Sequence, residues 1–283
     1  MLPKIGIIGG SGLYQLEALQ SPEWITVATP WGPPSDQVLT GTLNGTAMAF
    51  LPRHGRGHVH TPTSVPYRAN IAALKQLGVT DILAVSAVGS LHEPFAPGDF
   101  VLTSQFIDRT FARDSSFFGP GLVAHVSLAQ PTCARLSDAV ARAATGLTLH
   151  RGATCLAMEG PQFSTRAESH LYRQWGAQII GMTGMPETKL AREAEICYAS
   201  LAMVTDYDCW HPRHEAVDVA QVVATLTANA ANARRVVQDL RLDRPVPCPC
   251  GCDRALSHAI MTSPDKRDPQ MLDRLATIAA RVL

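Results

Sequence analysis

The sequence lacks an excess of charge of either sign. Its 283 residues include 24 lysines and arginines against 24 aspartates and glutamates, so the formal net charge is zero. Proteins that bind nucleic acid or an anionic membrane usually carry a basic face, so neither kind of partner is expected. An anionic ligand would have to be held by a local site inside the fold.

The sequence also lacks a long hydrophobic run. No apolar stretch approaches the ~20 residues that cross a bilayer. The first ten residues, MLPKIGIIGG, contain an apolar run too short and too rich in glycine for a signal peptide. Seven cysteines, mostly at unrelated spacings in a chain of this size, are not typical of a secreted disulfide scaffold. We therefore expect a cytoplasmic protein.

Strand and helix patterns alternate along the chain, of which 46% is hydrophobic. The predicted strands are residues 4–8, 38–43, 46–51, 82–88, 100–106, 153–158, 179–182 and 196–204. The predicted helices are residues 67–77, 132–144, 165–175, 186–195 and 219–240. This interleaving predicts an α/β fold with a largely parallel or mixed sheet, whose ligands bind at the carboxyl ends of the strands.

A glycine-rich turn follows the first predicted strand. In Gly9-Gly10-Ser11-Gly12, backbone N–H groups and a hydroxyl could cradle a phosphate. A dinucleotide-binding turn would need a third glycine that is absent here, and a Walker loop would need a lysine followed by serine or threonine. A plain tight turn remains the alternative.

A second candidate is the basic loop after the strand at residues 46–51. Its sequence is Arg53-His54-Gly55-Arg56-Gly57-His58, and a guanidinium offers a fork that matches phosphate. A metal site is less favoured because no carboxylate or cysteine lies nearby in the sequence. A solvated basic loop is the alternative.

Asp206 and Asp208 follow the most hydrophobic predicted strand. Two carboxylates spaced two apart in an extended segment would project to one face. Partial desolvation at the strand end would raise the pKa of at least one of them and suit it to proton donation. A polar turn leaving the sheet is the alternative.

Three further segments are unspecific when taken singly. Residues 86–90 offer small side chains and a hydroxyl, residues 159–168 offer an aromatic ring that could stack on a base, and residues 180–187 offer a methionine and a threonine. Each could equally be ordinary packing, a capped helix start or core.

Together, in this order from Ile5 to about Ala230, these segments resemble the trimeric purine nucleoside phosphorylase family, and within it the branch that acts on 5′-methylthioadenosine. The residues that carry the resemblance are 7–13, 53–56, 86–90, 105–110, 159–161, 163–164, 182–183 and 205–210. The resemblance implies a single-domain mixed β-sheet, partly barrel-like and flanked by helices. Residues 1–243 would form the nucleoside phosphorylase domain, and residues 244–283 a proline- and cysteine-rich linker with a helical arm packing on it.

The resemblance implies phosphorolysis, in which inorganic phosphate displaces adenine from S-methyl-5′-thioadenosine and forms 5-methylthioribose 1-phosphate. No metal or redox cofactor is implied. The implied phosphate-binding residues are Ser11, Arg53, His54, Ser86, Ala87 and Thr183. The implied nucleoside-binding residues are Met182 under the ribose and Phe163, Ser164, Asp206 and Asp208 around the base.

The two aspartates would select 6-aminopurines. A protonated Asp206 could donate to N7 of the leaving adenine as general acid, a role worth typically ~10²–10⁴-fold in rate. Asp208 could accept from the N6 amino group, whereas the O6 of hypoxanthine or guanine would meet a second acceptor. In the related 6-oxopurine enzymes the first of these positions resembles an asparagine, which can donate.

Two more residues bear on the sugar site. Val219 matches a position where the 6-oxopurine enzymes have a histidine, and an apolar residue suits a thiomethyl group. His125 matches a residue that family members lend to a neighbouring subunit, which implies a homotrimer or a dimer of trimers; a structural histidine is the alternative. The rival functions are a broader purine nucleoside or methylthioinosine phosphorylase, a dinucleotide-dependent oxidoreductase and a non-catalytic nucleoside-binding module.

The cysteines near the C-terminus leave three states open. Cys248-Pro249-Cys250-Gly251-Cys252 lacks the spacing of a typical zinc ribbon, and the sequence shows no second cluster that completes four ligands. Free thiols are therefore favoured over a metal site. Some thermostable relatives carry a C-terminal Cys-x-Cys element with disulfides, and Cys133 and Cys197 match a pair that such relatives bridge.

Overall fold

The computed structural model describes residues 4–10, 12–13, 16–212 and 219–283, which contain one nine-stranded sheet and six α-helices. The strands are β1 (Lys4–Gly9), β2 (Gln20–Ile25), β3 (Val38–Leu43), β4 (Thr46–Pro52), β5 (Asp81–Ser90), β6 (Phe100–Arg109), β7 (Leu149–Met158), β8 (Ile179–Gly181) and β9 (Cys197–Asp206). The helices are α1 (Tyr67–Gln76), α2 (Ala134–Ala143), α3 (Arg166–Gln174), α4 (Gly184–Glu193), α5 (Val219–Asp239) and α6 (Pro269–Leu275). Two short 3₁₀ helices span Cys252–Arg254 and Pro264–Lys266.

Part of the sheet closes into a barrel. The strand order is β2-β3-β4-β1-β5-β8-β7-β6-β9, and β9 pairs back with β5, so five strands form a ring. β5 is parallel to β1 and β9 but antiparallel to β8, and β6 is antiparallel to β9. The predicted mixed, partly barrel-like sheet flanked by helices is confirmed.

The turn between β3 and β4 forms because its residues tolerate left-handed backbone angles. Asn44 and Gly45 have φ values of 50° and 78°, as a two-residue turn that matches the twist of a hairpin requires. The sequence analysis did not predict β2, because that strand lies at the sheet edge and its first four residues are exposed. An edge strand of this kind lacks the alternation of apolar and polar residues that marks a half-buried strand.

β9 is the most enclosed strand among the described residues. All ten of its residues are buried, because β5 and β6 pair with its two edges and α2, α4 and α5 pack against it. A strand covered on both faces has a continuous hydrophobic run instead of alternation. Its carboxyl end therefore carries Asp206 into a poorly solvated position.

The C-terminal residues join a hydrophobic cluster that also contains residues of β1, β5 and α1. Leu275 and Ile278 are 0% and 1% exposed in that cluster, and Arg281 Nε donates to Glu195 Oε2 over 2.8 Å. None of the described helices is long and apolar enough to cross a membrane.

Candidate active site

Four strands bring their carboxyl ends to one edge of the sheet. β1 is parallel to β4 and β5, and β5 is parallel to β9. The backbone N–H of Arg53, just after β4, donates to the carbonyl of Gly9 at the end of β1 over 3.0 Å. The glycine-rich turn, the basic loop, residues 86–90 and Asp206 are thereby gathered at the same edge.

Asp206 and Asp208 are buried, with 9% and 4% of their surface exposed. Asp206 Oδ2 accepts a hydrogen bond from the Thr205 hydroxyl (2.7 Å), and Asp206 Oδ1 accepts one from the Asp208 N–H (2.8 Å). Asp208 is not extended as predicted but has a left-handed φ of 50°. That angle turns its N–H back onto Asp206, so both side chains remain on one side of the strand end.

The surroundings of the two carboxyl groups favour the protonated form. Burial raises the pKa of Asp206, and its two hydrogen bonds offset only part of that effect. Burial raises the pKa of Asp208 as well, and the negative charge of Asp206 adds to the shift. Asp208 Oδ2 is buried with no hydrogen-bond partner among the described residues. The pair can therefore hold a proton and still offer an acceptor to a ligand.

Gly89 makes room for this pair. A Cβ at Gly89 would lie 2.9 Å from Asp206 Oδ1 and 3.4 Å from Asp208 Cβ. The absence of a side chain lets both aspartates lie directly against β5. The sequence placed Gly89 in a segment of small residues but did not assign it to the site.

Two hydroxyl groups meet beside the end of β5. Ser86 Oγ and Thr183 Oγ1 are 3.5 Å apart, and Thr183 is 7% exposed just before α4. Ala87 follows Ser86 in β5. Ser11, the third predicted hydroxyl, lies outside the described residues. The structure thus brings together two of the three hydroxyls that the resemblance assigns to phosphate.

The guanidinium of Arg53 is directed at a carboxylate that the sequence analysis missed. Arg53 Nε and Nη2 donate to Glu187 over 2.8 and 3.0 Å, and Arg53 Nη1 donates to the carbonyl of Val85 over 3.0 Å. The Tyr198 hydroxyl also donates to Glu187, over 2.8 Å. The buried pair neutralises much of the charge of Arg53 and fixes its position beside Ser86.

His54 is neutral at pH 7. Burial, followed by the charge of Arg53, lowers its pKa to about 4. Its Nδ1 lies 2.9 Å from the carbonyl oxygen of His60, and an uncharged ring must carry its proton on Nδ1 to make that hydrogen bond. Its Nε2 is then an acceptor, not a donor.

Arg113, also missed by the sequence analysis, organises the loops around Met182. Its Nη1 donates to the carbonyls of Met182 and Met185, the latter over 2.8 Å, and its Nε donates to Glu159 over 3.1 Å. Glu159 also accepts hydrogen bonds from the N–H groups of Phe111 and Ala112. Both oxygens of Glu159 are therefore occupied by hydrogen bonds from the protein itself. Nothing in the local sequence indicated Arg113 as the partner of Glu159.

The fit of Met182 depends on a glycine in the neighbouring loop. A Cβ at Gly160 would lie 2.5 Å from Met182 Sδ, and Gly160 has a φ of 68°. Both the close approach and the left-handed angle favour glycine there.

Three of the four remaining predicted residues are exposed. Phe163 is 43% exposed and Val219, at the start of α5, is 62% exposed. Ser164 is half-buried, and its hydroxyl lies beside Asp208. His125 is exposed, and its N–H donates to the carbonyl of Ala259 over 2.9 Å. No described contact joins His125 to the aspartates or to the hydroxyl pair.

Four cysteines gather at the amino end of β9, the opposite end from Asp206. The sulfur atoms of Cys133, Cys197, Cys248 and Cys252 all lie within 4.8 Å of one another, and all four residues are buried. The expectation that nothing completes a four-ligand set with Cys248 and Cys252 is therefore wrong. Cys133 and Cys197 are distant in sequence, so spacing along the chain could not reveal the cluster.

Comparison with known proteins agrees with the fold. The phosphorylase superfamily model matches residues 4–240. An S-methyl-5′-thioadenosine phosphorylase from Cereibacter sphaeroides is 64% identical, with 100% of this chain and 99% of that protein covered. One from Rhodospirillum rubrum is 58% identical, with 99% and 97% covered.

Solved structures are similar over the same range. The crystal structure of a methylthioadenosine phosphorylase from an antarctic soil metagenomic library superposes with a TM-score of 0.91 at 48% identity, covering 98% of this chain and 99% of that one. Methylthioadenosine phosphorylase from Schistosoma mansoni in complex with adenine superposes with a TM-score of 0.79 at 38% identity, covering 84% and 90%. The predicted resemblance is confirmed, and the chain belongs to the phosphorylase superfamily.

Proposed function

We propose that this protein catalyses the phosphorolysis of S-methyl-5′-thioadenosine to adenine and 5-methylthioribose 1-phosphate. The observation that carries the proposal is the buried Asp206–Asp208 pair against Gly89, at the strand edge that also holds the hydroxyl pair of Ser86 and Thr183. Relatives that are 64% and 58% identical over nearly the whole chain are S-methyl-5′-thioadenosine phosphorylases.

The aspartate pair acts on the leaving base. Burial raises the pKa of both carboxyl groups, which favours a proton on the pair, and Asp206 donates that proton to N7 of adenine. The unpaired, buried Oδ2 of Asp208 accepts from the N6 amino group. The base then leaves as neutral adenine and not as an anion, which lowers the barrier to cleavage of the bond to C1′.

Phosphate binds beside the end of β5 and attacks C1′. The hydroxyls of Ser86 and Thr183 donate to its oxygens together with Ser11, and Arg53, His54 and Ala87 complete the site. Arg53 acts mainly by anchoring this edge, since Glu187 and the carbonyls of Val85 and Ile8 together engage most of its donors. His54 approaches phosphate through its backbone N–H or through Nε2, which can accept a phosphate O–H. The phosphate dianion stabilises the oxocarbenium-like sugar in the transition state.

The nucleoside is positioned by apolar and aromatic groups. Met182 lies close against Gly160, and its carbonyl accepts a hydrogen bond from Arg113. Its side chain lies under the ribose, and Phe163 and Ser164 border the base. Val219 offers only apolar contact to the 5′ substituent, which suits a thiomethyl group. The reaction transfers a glycosyl group without net oxidation or reduction, so catalysis needs no redox cofactor, and the proposed acid and the phosphate nucleophile act without a metal.

The protein works as a homotrimer or a dimer of trimers in the cytoplasm, with His125 lent to a neighbouring subunit. Exposed apolar side chains, including Phe111 at 84% exposure, support self-association. None of the seven cysteines, all of which the structure describes, is in a disulfide, which supports a reducing compartment. Residues 1–243 act as the nucleoside phosphorylase domain, and residues 244–283 form a linker and arm on the same unit.

A matrix of substrates tests the proposal. Methylthioadenosine, adenosine, methylthioinosine and inosine are each offered with and without inorganic phosphate, and free base and sugar phosphate are quantified by chromatography. Rapid, phosphate-dependent release of adenine from methylthioadenosine is expected. Release without phosphate would indicate a nucleosidase, preference for methylthioinosine would indicate the 6-oxopurine activity, and no turnover would leave a binding module.

A further inference from the structure

The distances within the four-cysteine cluster fit one metal ion better than disulfide bonds. Cys248 Sγ lies 3.6 Å from Cys197 Sγ and 3.9 Å from Cys133 Sγ. Four sulfurs bound to Zn²⁺ at ~2.3 Å occupy the corners of a tetrahedron with edges of ~3.8 Å. A disulfide would bring two sulfurs to ~2.05 Å. The Cys248 sulfur is nearly equidistant from the sulfurs of Cys197 and Cys133. A central ion can bind all three sulfurs at once, whereas a disulfide would join Cys248 to only one of them.

The groups around the cluster suit four thiolates. The guanidinium of Arg135 lies against Cys197 and Cys248, and its Nε is buried with no hydrogen-bond partner among the described residues. A thiolate sulfur would supply that missing acceptor and take up part of its charge. Cys133 stands at the N-terminus of α2, where the helix dipole favours an anion.

The backbone between Cys248 and Cys252 is folded so that both sulfurs face the same point. The Gly251 N–H donates to the Cys248 carbonyl over 2.9 Å, and Gly251 has a φ of 70°. This turn reverses the chain, and a 3₁₀ helix begins at Cys252. The segment is therefore preorganised to present two ligands.

We propose that Cys133, Cys197, Cys248 and Cys252 bind one Zn²⁺ ion in a closed structural site. On binding, the four thiols release their protons to solvent and the ion takes four sulfur ligands. A tetrahedral all-sulfur set with no open position is typical of structural zinc and leaves no room for a substrate or water. The ion joins three distant parts of the chain: the start of α2, the start of β9 and the segment after α5.

The site is separate from the proposed catalysis. Cys197 is the first residue of β9 and Asp206 is the last, so the two sites lie at opposite ends of the ten-residue strand, ~30 Å apart at the usual rise per residue. The ion therefore stabilises the fold and takes no part in phosphorolysis. Metal content and catalytic activity can be measured independently, so either proposal can fail without the other.

The first test is the metal content of the full-length protein, purified without a metal-binding tag and with reductant. Mass spectrometry of the elements is expected to find about one zinc per chain, and Cys248→Ser or Cys252→Ser is expected to reduce it to about a tenth or less. Cys250→Ser and Cys155→Ser are the matched controls, since Cys250 neighbours the cluster and Cys155 is buried on β7 outside it. Both controls should keep about one zinc per chain.

A second test uses the unaltered chain, in case a serine variant does not fold. Titration with an organomercurial should release about one equivalent of zinc, detected with a chromogenic chelator, and lower Tm by about 5 °C or more. Cobalt introduced in place of zinc should show the absorption of a tetrahedral four-thiolate site. Peptide mapping without reduction that finds disulfides among the four cysteines would overturn the proposal. The proposal would also be overturned if all four cysteines were alkylatable thiols in metal-free protein, or if the bound metal were iron and not zinc.

Discussion

Asp206 and Glu159 are both buried carboxylates near the candidate active site, but different groups surround them. Asp206 receives one hydroxyl and one N–H, and burial still raises its pKa. Glu159 is also penalised by burial, but hydrogen bonds from Thr63, Phe111 and Arg113 outweigh that effect and lower its pKa to about 2. The environment thus favours the protonated form at Asp206 and the ionised form at Glu159.

Replacing Asp206 with asparagine should remove the acidic proton while keeping a side chain of nearly the same size that can still form hydrogen bonds. We expect Asp206→Asn to lower kcat/KM for methylthioadenosine by ~10²–10⁴-fold, and to raise the relative activity on methylthioinosine because an amide N–H can donate to O6. The measurement is steady-state phosphorolysis of both nucleosides. Asp138→Asn, a half-exposed site on α2, is the control, and an unchanged rate of adenine release in Asp206→Asn would refute the assigned role.

Glu159→Gln should destabilise the protein in a pH-dependent way. The pKa of Glu159 is lowered from 4.5 to about 2 in the folded state, so the ionised group contributes stability that is present above ~4.5 and lost as pH falls toward ~2. At pH 7 the variant leaves the Arg113 charge without its buried partner, at a cost of ~3–5 kcal/mol.

Denaturant unfolding at several pH values measures the effect of Glu159→Gln. The difference in the free energy of unfolding between wild type and variant should be largest near neutral pH and should narrow steadily below ~4.5. Glu168→Gln, an exposed carboxylate in the capping box of α3, is a control that should cost no more than ~1 kcal/mol. A difference that stays constant with pH would contradict the assigned charge state.

At the scale of elements, the pairing of β5 with β9 positions the aspartates. The two strands run parallel from Asp81 and Cys197 to Val88 and Val204, and the register then shifts so that Gly89 pairs with Asp206. The shift turns the last residue of β9 out of the regular ladder. The geometry of this candidate site therefore depends on Gly89, the small residue paired with Asp206, as much as on the two aspartates.

Gly89→Ala should therefore impair catalysis more than folding. Its new Cβ would lie 2.9 Å from Asp206 Oδ1, so the carboxylate must move. We expect kcat/KM for methylthioadenosine to fall ~10²-fold or more, since a displacement of about 1 Å can have that effect. Gly119→Ala is the matched control, because, apart from Gly119 itself and its two chain neighbours, no heavy atom of the described residues lies within 4 Å of its Cβ position. Thermal melting and steady-state kinetics of both variants separate the two effects, and full activity in Gly89→Ala would contradict the expectation.

At the scale of the whole molecule, the C-terminal arm shares a hydrophobic core with the sheet. Ile278 is 1% exposed in the cluster that includes Ile8 and Ile82. We expect Ile278→Ala to cost ~2–5 kcal/mol and to shift a single cooperative transition to lower temperature. Differential scanning calorimetry makes the measurement, with Leu283→Ala, at a site 41% exposed, as the control. A separate early transition would mean that residues 244–283 unfold as an independent unit.

The balanced net charge reflects the pairing of arginines with glutamates inside the fold. Arg53 faces Glu187, Arg113 faces Glu159, and Arg281 faces Glu195. Charges paired in this way act over short distances and hold loops in place instead of creating a long-range field. The candidate phosphate site therefore relies on oriented hydroxyls and N–H groups more than on excess positive charge.

The sequence by itself determined the α/β class, the boundaries of most strands and helices, and the family. Hydrophobic runs, the Asn44-Gly45 turn and the ordered motifs are local signals, because backbone propensity and side-chain burial act over a few neighbouring residues. Asp206 and Asp208 could be singled out because they directly follow a long apolar run.

Only the tertiary structure decided which distant residues meet. Glu187 with Arg53, Arg113 with Glu159, Gly89 with Asp206 and the four cysteine sulfurs are brought together by barrel closure and by the return of the C-terminal arm. These contacts join residues from different elements, so no spacing along the chain encodes them. Burial of those residues together also sets the pKa values of the two aspartates, because desolvation is a property of the packed fold and not of the local sequence.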